Sequence, residues 1–372
     1  MRQKFIKFTV PNTLLFVFTG LSLVFPLGLL TLTVGPVRMI SDYADSHHWT
    51  QEHESSIEKI FLVFFFIFIV LLTYYVTHKL ARSQNQNLKT GILCFFGVLL
   101  LVSVYIFSFK PELLINSSAI SHVDHSSDAE FHFGPYPDET KLKQLKDENY
   151  TAVISLLHRM VIPAEPILME KERENAKNAG IKLISIPMLP WIVKNDSSVA
   201  RIKEIAKTFK GKYYVHCYLG KDRANVFRNI IEKENTNILS TSELGIHNIK
   251  TLKAFERGTI FNLQKDVYYT PYPTDEEFFG YVLNGRIASV VNIMDPHVNE
   301  EKARIDTETK IMKEYNQAFY NLPMGENDGE AKIEALVRTI QKLKKPIVIH
   351  AYNSESENSK KFMAVYQKLL HQ

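Results

Sequence analysis

The stretch YYVHCYLGKDRANVFRNIIEK, Tyr213–Lys233, decides the fold. It opens as an aromatic and β-branched run, passes a short loop with one glycine, and continues with helical spacing of apolar residues. A strand that feeds a helix through such a loop belongs at the carboxyl edge of an open α/β sheet, where ligands bind. Cys217 is followed six residues later by Arg223, with Gly220 between them. Consecutive loop N–H groups can form an anion nest. The helix starting near Arg223 adds its positive end, and the planar Arg223 fork matches phosphate oxygens. Gly220 lets the loop curl without a Cβ clash. Cys217 sits in the same field, which predicts a thiol more acidic than the free value of ~8.5. A thiolate facing a bound phosphate is a nucleophile for covalent catalysis.

Working outward, the stretch proves to be half of a duplication. The string FGPYPDETKLKQLKDENYTAVISLL begins at Phe133, and YTPYPTDEEFFGYVLNGRIASVVNIM begins at Tyr269. Each has a Pro-Tyr-Pro turn, an amphipathic helix and an apolar strand (Ala152–Leu157; Ala288–Met294). Each continues through a charged helix to an apolar strand edge, IKLISIPM from Ile181 and FYNLPMG from Phe319. A further helix follows in each (about Ser198–Phe209; about Ala331–Leu343). Each then has a strand ending in histidine, YYVH at His216 and PIVIH at His350. A period of over a hundred residues is a domain duplication, not a solenoid. Alternating strands and helices predict a central, mostly parallel sheet flanked by helices in each copy.

The motif at His216–Arg223 resembles the signature His-Cys-x5-Arg of the cysteine-dependent protein tyrosine phosphatase superfamily, and the flanking topology is similar to its compact dual-specificity branch. The resemblance covers about Phe131–Gln372 as two copies. The Gly220-Lys221-Asp222-Arg223 variant is similar to bacterial tyrosine and phosphoinositide phosphatases with a GKDR loop. The resemblance implies that Cys217 attacks phosphorus to give a phosphocysteine, which water then hydrolyses. It assigns Tyr218, Leu219, Gly220 and Lys221 to the phosphate-binding loop with His216 behind it. No cofactor and no metal is implied. A leaving-group acid is also expected. Many family members place an Asp about thirty residues upstream of the Cys, but that stretch here reads SIPMLPWIVKND, with only Asp196 close by. Asp222, just before the arginine, is the first choice and Asp196 the alternative; the bland reading of Asp222 is a cap on the following helix. Ala224 departs from the usual Ser or Thr, which predicts slow phosphoenzyme breakdown or help from another group. Lys221 offers charge to an anionic substrate or is a solvated loop residue. His158, Arg159, Trp191 and Tyr218 are rim candidates, with ordinary packing as the alternative.

The second copy reads HAYNSESENSKK from His350. Ala351 stands in place of the Cys, Ser354 in place of Gly220 and Glu357 in place of the Arg. Alanine cannot attack phosphorus, and Glu357 with Glu355 would repel phosphate. This copy resembles the inert second domain of tandem receptor-like phosphatases, with packing, stabilisation or partner recruitment as its expected roles.

The first third differs in kind. Phe8–Val37, Ile60–Thr77 and Thr90–Phe109 contain no charged residue or histidine. A membrane-crossing helix needs ~20 mainly apolar residues, so three spans are expected, at about 10–36, 58–77 and 90–109, with Pro26 kinking the first. A signal peptide is the other reading of the first run. Arg2, Lys4 and Lys7, and then Lys79, Arg82 and Lys89, mark the cytoplasmic flanks. Three crossings put the remainder on the outer side, unless the first run is re-entrant and reverses it. No ionisable residue marks a path through the spans. Cys94 reads as a small hydrophobe at lipid depth, and His47, His48 and His53 as part of a solvated acidic loop.

The expected organisation is therefore a transmembrane region 1–110, a polar linker 111–130, a phosphatase-like domain 131–245 and a degenerate one 246–372. The net charge of +4 belongs to residues 1–110, where nine Lys/Arg face five Asp/Glu. It marks topology and not nucleic acid. Two cysteines exclude a disulfide framework and a Cys-rich zinc site. The expected function is a membrane-anchored phosphomonoester phosphatase acting on a phosphoprotein or an anionic phospholipid headgroup. The alternative is a phosphate-binding scaffold with little turnover.

Overall fold

The structure is a computed structural model that describes residues 9–46, 51–114, 129–235, 238–241 and 249–370. Expectations placed on Arg2, Lys4, Lys7, His47 and His48, on most of the linker, and on the 245/246 boundary fall outside these residues. The chain divides into two compact units, Met1–Asn116 with Ile162–Leu168, and Ser117–Val161 with Met169–Gln372.

The first unit is helical. Helix α1 (Val10–Leu29) runs on as a π-helical turn over Leu30–Val34 and breaks at Gly35. Helices α2 (Pro36–Ser46), α3 (Gln51–Arg82) and α4 (Gln86–Phe109) follow. Val10–Leu32, Ser56–Arg82 and Gln86–Phe109 are long and apolar enough to cross a membrane. The second and third begin earlier than the uncharged runs, because a helix does not stop at the first polar residue once its ladder is made; Asn85 caps α4 by accepting from the Leu88 N–H. Many apolar side chains of these helices face outward, while Thr19, Ser22, Thr73 and Thr77 are buried together with Leu23, Ile69 and Leu80. Small polar residues at the seam are what lets helices approach when the surroundings are as apolar as the side chains.

The second unit is mixed α/β with two mainly parallel sheets. In chain order the first sheet's elements are β1 (Ala129–Gly134), α5 (Glu139–Asp147), β2 (Ala152–Ser155), α6 (Ala164–Ala179), β3 (Leu183–Ser185), α7 (Asp196–Thr208), β4 (Gly211–His216), α8 (Asp222–Glu234) and β5 (Leu239–Thr241). Its strand order is β3-β2-β4-β1-β5, all parallel. After a small hairpin, β6 (Ala254–Phe255) with β7 (Gly258–Thr259), come β8 (Phe261–Gln264), β9 (Val267–Pro271), α9 (Asp275–Glu277), a π-helical segment Phe278–Leu283, β10 (Ser289–Asn292), α10 (Asn299–Glu314), β11 (Phe319–Asn321), α11 (Glu330–Gln341), β12 (Ile347–Ala351) and α12 (Glu357–Leu370). The second sheet has the order β11-β10-β12-β9-β8, parallel except for β8. Strands β3-β2-β4-β1 and β11-β10-β12-β9 run in the same order, whereas the edge strands β5 and β8 differ in chain position and direction.

Two details differ from the sequence reading. The strands expected at Ile181–Met188 and Phe319–Gly325 shrink to three residues each, ending two residues before Pro187 and Pro323, which have no N–H to give a ladder. The amphipathic helix expected after Pro273 is one α-turn followed by the π-segment. Phe278, Phe279, Val282 and Leu283 are all buried there, a wide apolar face that tertiary packing holds.

Three clusters make up the core. Leu142, Leu145, Ala176 and Ile181 pack α5 and α6 on one face of the first sheet. Ile333, Val337, Phe362 and Tyr366 pack α11 and α12 on one face of the second. The largest cluster is common to both sheets: Val199, Ile202, Phe227 and Ile230 of α7 and α8 join Phe279, Val282, Val290 and Tyr315. Helices α7 and α8 thus lie between the two sheets.

Candidate active site

Strand β4 delivers His216 and Cys217 at the carboxyl edge of the first sheet, and α8 starts at Asp222. The intervening loop is held from below. Gly220 has φ +73°, and a Cβ there would run into the main chain of Gly134 and Pro135. Gly134 is just as confined, because a Cβ would strike the Tyr214 ring. The Tyr214 hydroxyl donates to the Pro135 carbonyl (2.8 Å), and the Tyr136 N–H donates to the Tyr218 carbonyl (3.2 Å). Burial pushes the Tyr214 hydroxyl well above its ordinary pKa, so it stays a neutral donor. The turn after β1 and the loop after β4 are therefore one interlocked piece.

Cys217 is buried, and so is Arg223 at the first turn of α8. Arg223 Nη1 donates to the carbonyls of Leu156 and Met188, both at 3.1 Å. Those carbonyls follow β2 and β3, so the guanidinium is locked under the carboxyl ends of three strands. Leu219 is exposed at the loop's crest, and Lys221 and Asp222 are half-buried. Ala224 is fully buried in the shared apolar cluster, which accounts for the absence of a hydroxyl there.

Behind the loop, His216 Nε2 lies 2.5 Å from Glu172 Oε1, both fully buried. Glu172 comes from α6 and was missed in the sequence reading. The second sheet repeats the pair: His350 Nε2 lies 2.8 Å from Glu308 Oε1 of α10. Glu172 and Glu308 lie 44 and 42 residues before their histidines, a near-match that the duplicated alignment carries. The pair survives where the cysteine does not, so it serves the architecture of the strand end in both sheets.

Asp222 and Asp196 are placed differently. Asp222 Oδ1 accepts a hydrogen bond from Asn284 Nδ2 (2.9 Å), at the end of the π-segment. Asp196 is exposed at the start of α7. Its neighbour Asn195 is the structural residue: Oδ1 accepts from the Leu189 N–H (2.8 Å), and Nδ2 reaches the carbonyls of Leu189 (3.2 Å) and Trp191 (2.7 Å) and the Tyr315 hydroxyl (3.2 Å). Tyr315 in turn donates to the Ile192 carbonyl (3.1 Å), and the Ile192 N–H donates to the Asp275 carbonyl (3.2 Å). The 187–195 loop, where family resemblance seeks an acid, is thus stapled to the second sheet's elements. His158 Nδ1 accepts from the Met160 N–H (3.1 Å), a turn contact.

The corresponding edge of the second sheet is filled differently. Ser354 is fully buried, and its hydroxyl donates to the Thr259 carbonyl (2.7 Å). Glu355 accepts from Thr259, and Glu357 pairs with Lys360 on the surface. A cavity of about 620 Å³ there is lined by Ala351 and Asn353 and by the carboxylates of Asp295, Glu301, Glu326 and Glu357. Burial, with Asp295 and Glu326 nearby, holds the Glu301 pKa above the ordinary value, against the hydrogen bond it accepts from the Asp295 N–H. Among the described residues no group of three or more His, Cys, Asp or Glu is placed to hold a metal ion.

No family model matches the chain, and no curated protein matches it significantly. Two solved structures are similar to part of it. One is a Shewanella putrefaciens CN-32 protein described provisionally as a phosphatase (DUF442), with 21% identity, a TM-score of 0.25 and coverage of 33% of this chain and 72% of that one. The other is TpbA of P. aeruginosa, with 15% identity, a TM-score of 0.22 and coverage of 30% and 67%.

Proposed function

We propose that the chain is a membrane-anchored, cysteine-dependent phosphatase for phosphomonoesters. The single observation that carries this reading is the strand–Cys217–Gly220–Arg223–helix arrangement, with Gly220 in a left-handed conformation and Arg223 buried at the helix start. In this reading Cys217 Sγ attacks phosphorus as the leaving oxygen departs, and Asp222 gives that oxygen its proton. Water then cleaves the phosphocysteine and releases inorganic phosphate. Loop residues Tyr218–Lys221 cradle the equatorial oxygens with Arg223, and His216 holds the strand end. Residues 131–245 form the dual-specificity-like catalytic domain. Residues 246–372 form a degenerate copy whose acidic cavity disfavours phosphate and whose outer face is available to a partner protein.

The three apolar helices supply the anchor, with the N-terminus cytoplasmic and the catalytic region on the outer side. A cysteine-accessibility or reporter-fusion measurement after Lys110 tests that side. The substrate is a phosphoprotein or a phospholipid headgroup, and nearness to a bilayer favours the lipid. The activity test is p-nitrophenyl phosphate turnover by the full chain in detergent with EDTA present. Turnover that disappears in Cys217→Ser is expected. Turnover unchanged in that variant would sink the enzyme reading, and retained phosphate binding without turnover would turn it into a scaffold.

A further inference from the structure

The geometry points to Asn284, in the second sheet's half of the unit, as the positioning residue for the Asp222 carboxyl group. This rests on the phosphatase reading above and deepens it. The side chain of Asn284 is fully buried, at the end of the π-helical segment Phe278–Leu283. Its Nδ2 donates to Asp222 Oδ1 at 2.9 Å. Its Oδ1 is buried without a hydrogen-bond partner among the described residues. A buried amide left half unsatisfied is expensive, and a leucine would fill the same space at lower cost. Packing alone therefore does not explain an asparagine here, whereas holding Asp222 does.

The support under Asn284 is rigid. Its backbone N–H closes the π-turn on the Phe279 carbonyl (3.1 Å). The preceding Leu283 carbonyl accepts from Asn229 Nδ2 of α8 at 2.6 Å. Arg286, in the turn just past Asn284, adds an ion pair with Glu232 of α8 (3.4 Å). Phe279, Val282 and Leu283 lie in the apolar cluster common to both sheets. π-Helical turns recur at functional sites because the wider turn re-aims a side chain. Asp222 is the first residue of α8, where the helix end already favours a carboxylate and solvent would satisfy it. Fixing one carboxyl oxygen from the neighbouring half instead sets the direction in which the group faces the Cys217 loop. A degenerate copy that cannot bind phosphate thereby contributes one side chain to the acid side of the catalytic site.

The test uses the full chain in detergent and a series of aryl phosphates, from phenyl phosphate to 2,4-dinitrophenyl phosphate. The ratio kcat/KM reads the step that phosphorylates Cys217, so slow phosphoenzyme breakdown does not mask it. General acids contribute ~10²–10⁴-fold when the leaving group needs a proton. Asn284→Ala should lower kcat/KM for phenyl phosphate on the order of tenfold and for 2,4-dinitrophenyl phosphate less than about twofold, since proton donation matters only for the poor leaving group. Asn284→Leu, which keeps the volume, should do the same and serves if the alanine variant fails to fold. In an Asp222→Asn background neither change should alter leaving-group selectivity further. Equal losses across the series, or no loss in a folded variant, would overturn the assignment. If Asp222→Asn itself leaves the selectivity flat while Cys217→Ser is dead, Asp222 is not the acid, and Asn284 falls with it while the phosphatase reading stands. If Cys217→Ser remains active, that reading fails first.

Discussion

Replacing Gly220 by alanine tests the interlock between the loop after β4 and the turn after β1. At φ +73° an alanine must sit in the left-handed region, which costs about 1–2 kcal/mol. Its Cβ would also overlap the main-chain carbonyl of Gly134 and the nitrogen of Pro135. These are backbone atoms at the exit of β1, and Gly134 is itself backed by the Tyr214 ring, so neither side can yield like a flexible side chain. Overpacking of this kind costs about 1–3 kcal/mol. The sum, about 2–5 kcal/mol, corresponds to a fall in melting temperature on the order of 10 °C for a unit of this size. Relief by lifting the loop roughly 1 Å would displace Cys217 from Arg223 and cost about 10²-fold in turnover. The control is Ser354→Gly at the equivalent place of the second sheet. It loses one hydroxyl bond to Thr259, worth about 1 kcal/mol, and should leave turnover unchanged. Thermal melting of the detergent-solubilised full chain and p-nitrophenyl phosphate turnover read both variants. Wild-type melting with wild-type turnover in Gly220→Ala would refute the described packing. A loss of activity in Ser354→Gly as large as in Gly220→Ala would refute the division of roles between the two sheets.

Tyr315→Phe removes the hydroxyl that donates to Ile192 and accepts from Asn195, leaving a buried carbonyl unpaired at a cost of about 1–3 kcal/mol; amide exchange should accelerate over residues 187–195, and protection equal to wild type would show that the staple does not hold that loop. Glu172→Ala and Glu308→Ala each strip a buried histidine of its carboxylate and should destabilise by a similar about 1–3 kcal/mol. Only Glu172→Ala should also reduce turnover, and equal activity losses in both would argue against a site confined to the first sheet. The raised pKa of Glu301 means the folded state holds its proton more tightly than the unfolded chain. That contribution favours folding fully below the ordinary value of 4.5 and is lost as pH rises through the folded pKa. Glu301→Gln keeps an acceptor for the Asp295 N–H and sheds the charge. Its melting temperature relative to wild type should therefore climb as pH rises above about 4.5, and a difference constant with pH would count against the burial assigned to this side chain.

What the linear sequence carries, and what it does not, follows from the range of the interactions. The strand–loop–helix at Tyr213–Lys233 depends on neighbours in the chain: a β-branched run, one glycine, then helical spacing. Its order in the sheet is repeated by the second copy, so the two readings support each other. The apolar lengths of the N-terminal helices are also a local property. Asn284 is the opposite case. It lies in a run, FFGYVLNG, that reads as the end of an amphipathic helix, and nothing within ten residues says that it will meet Asp222. The meeting requires that α7 and α8 of one half bury their outer faces against the π-segment and α10 of the other. Glu172 lies between these extremes: its partner is 44 residues away, but the Glu308–His350 pair preserves the relation. In the proposed reading, where one copy of a duplication has lost its chemistry, the chain records two kinds of residue. Those shared by both copies, such as the buried Glu–His pairs, report what the sheet needs to fold. Those present in one only divide into the Cys217–Arg223 loop and, across the packing surface, the side chains that hold it.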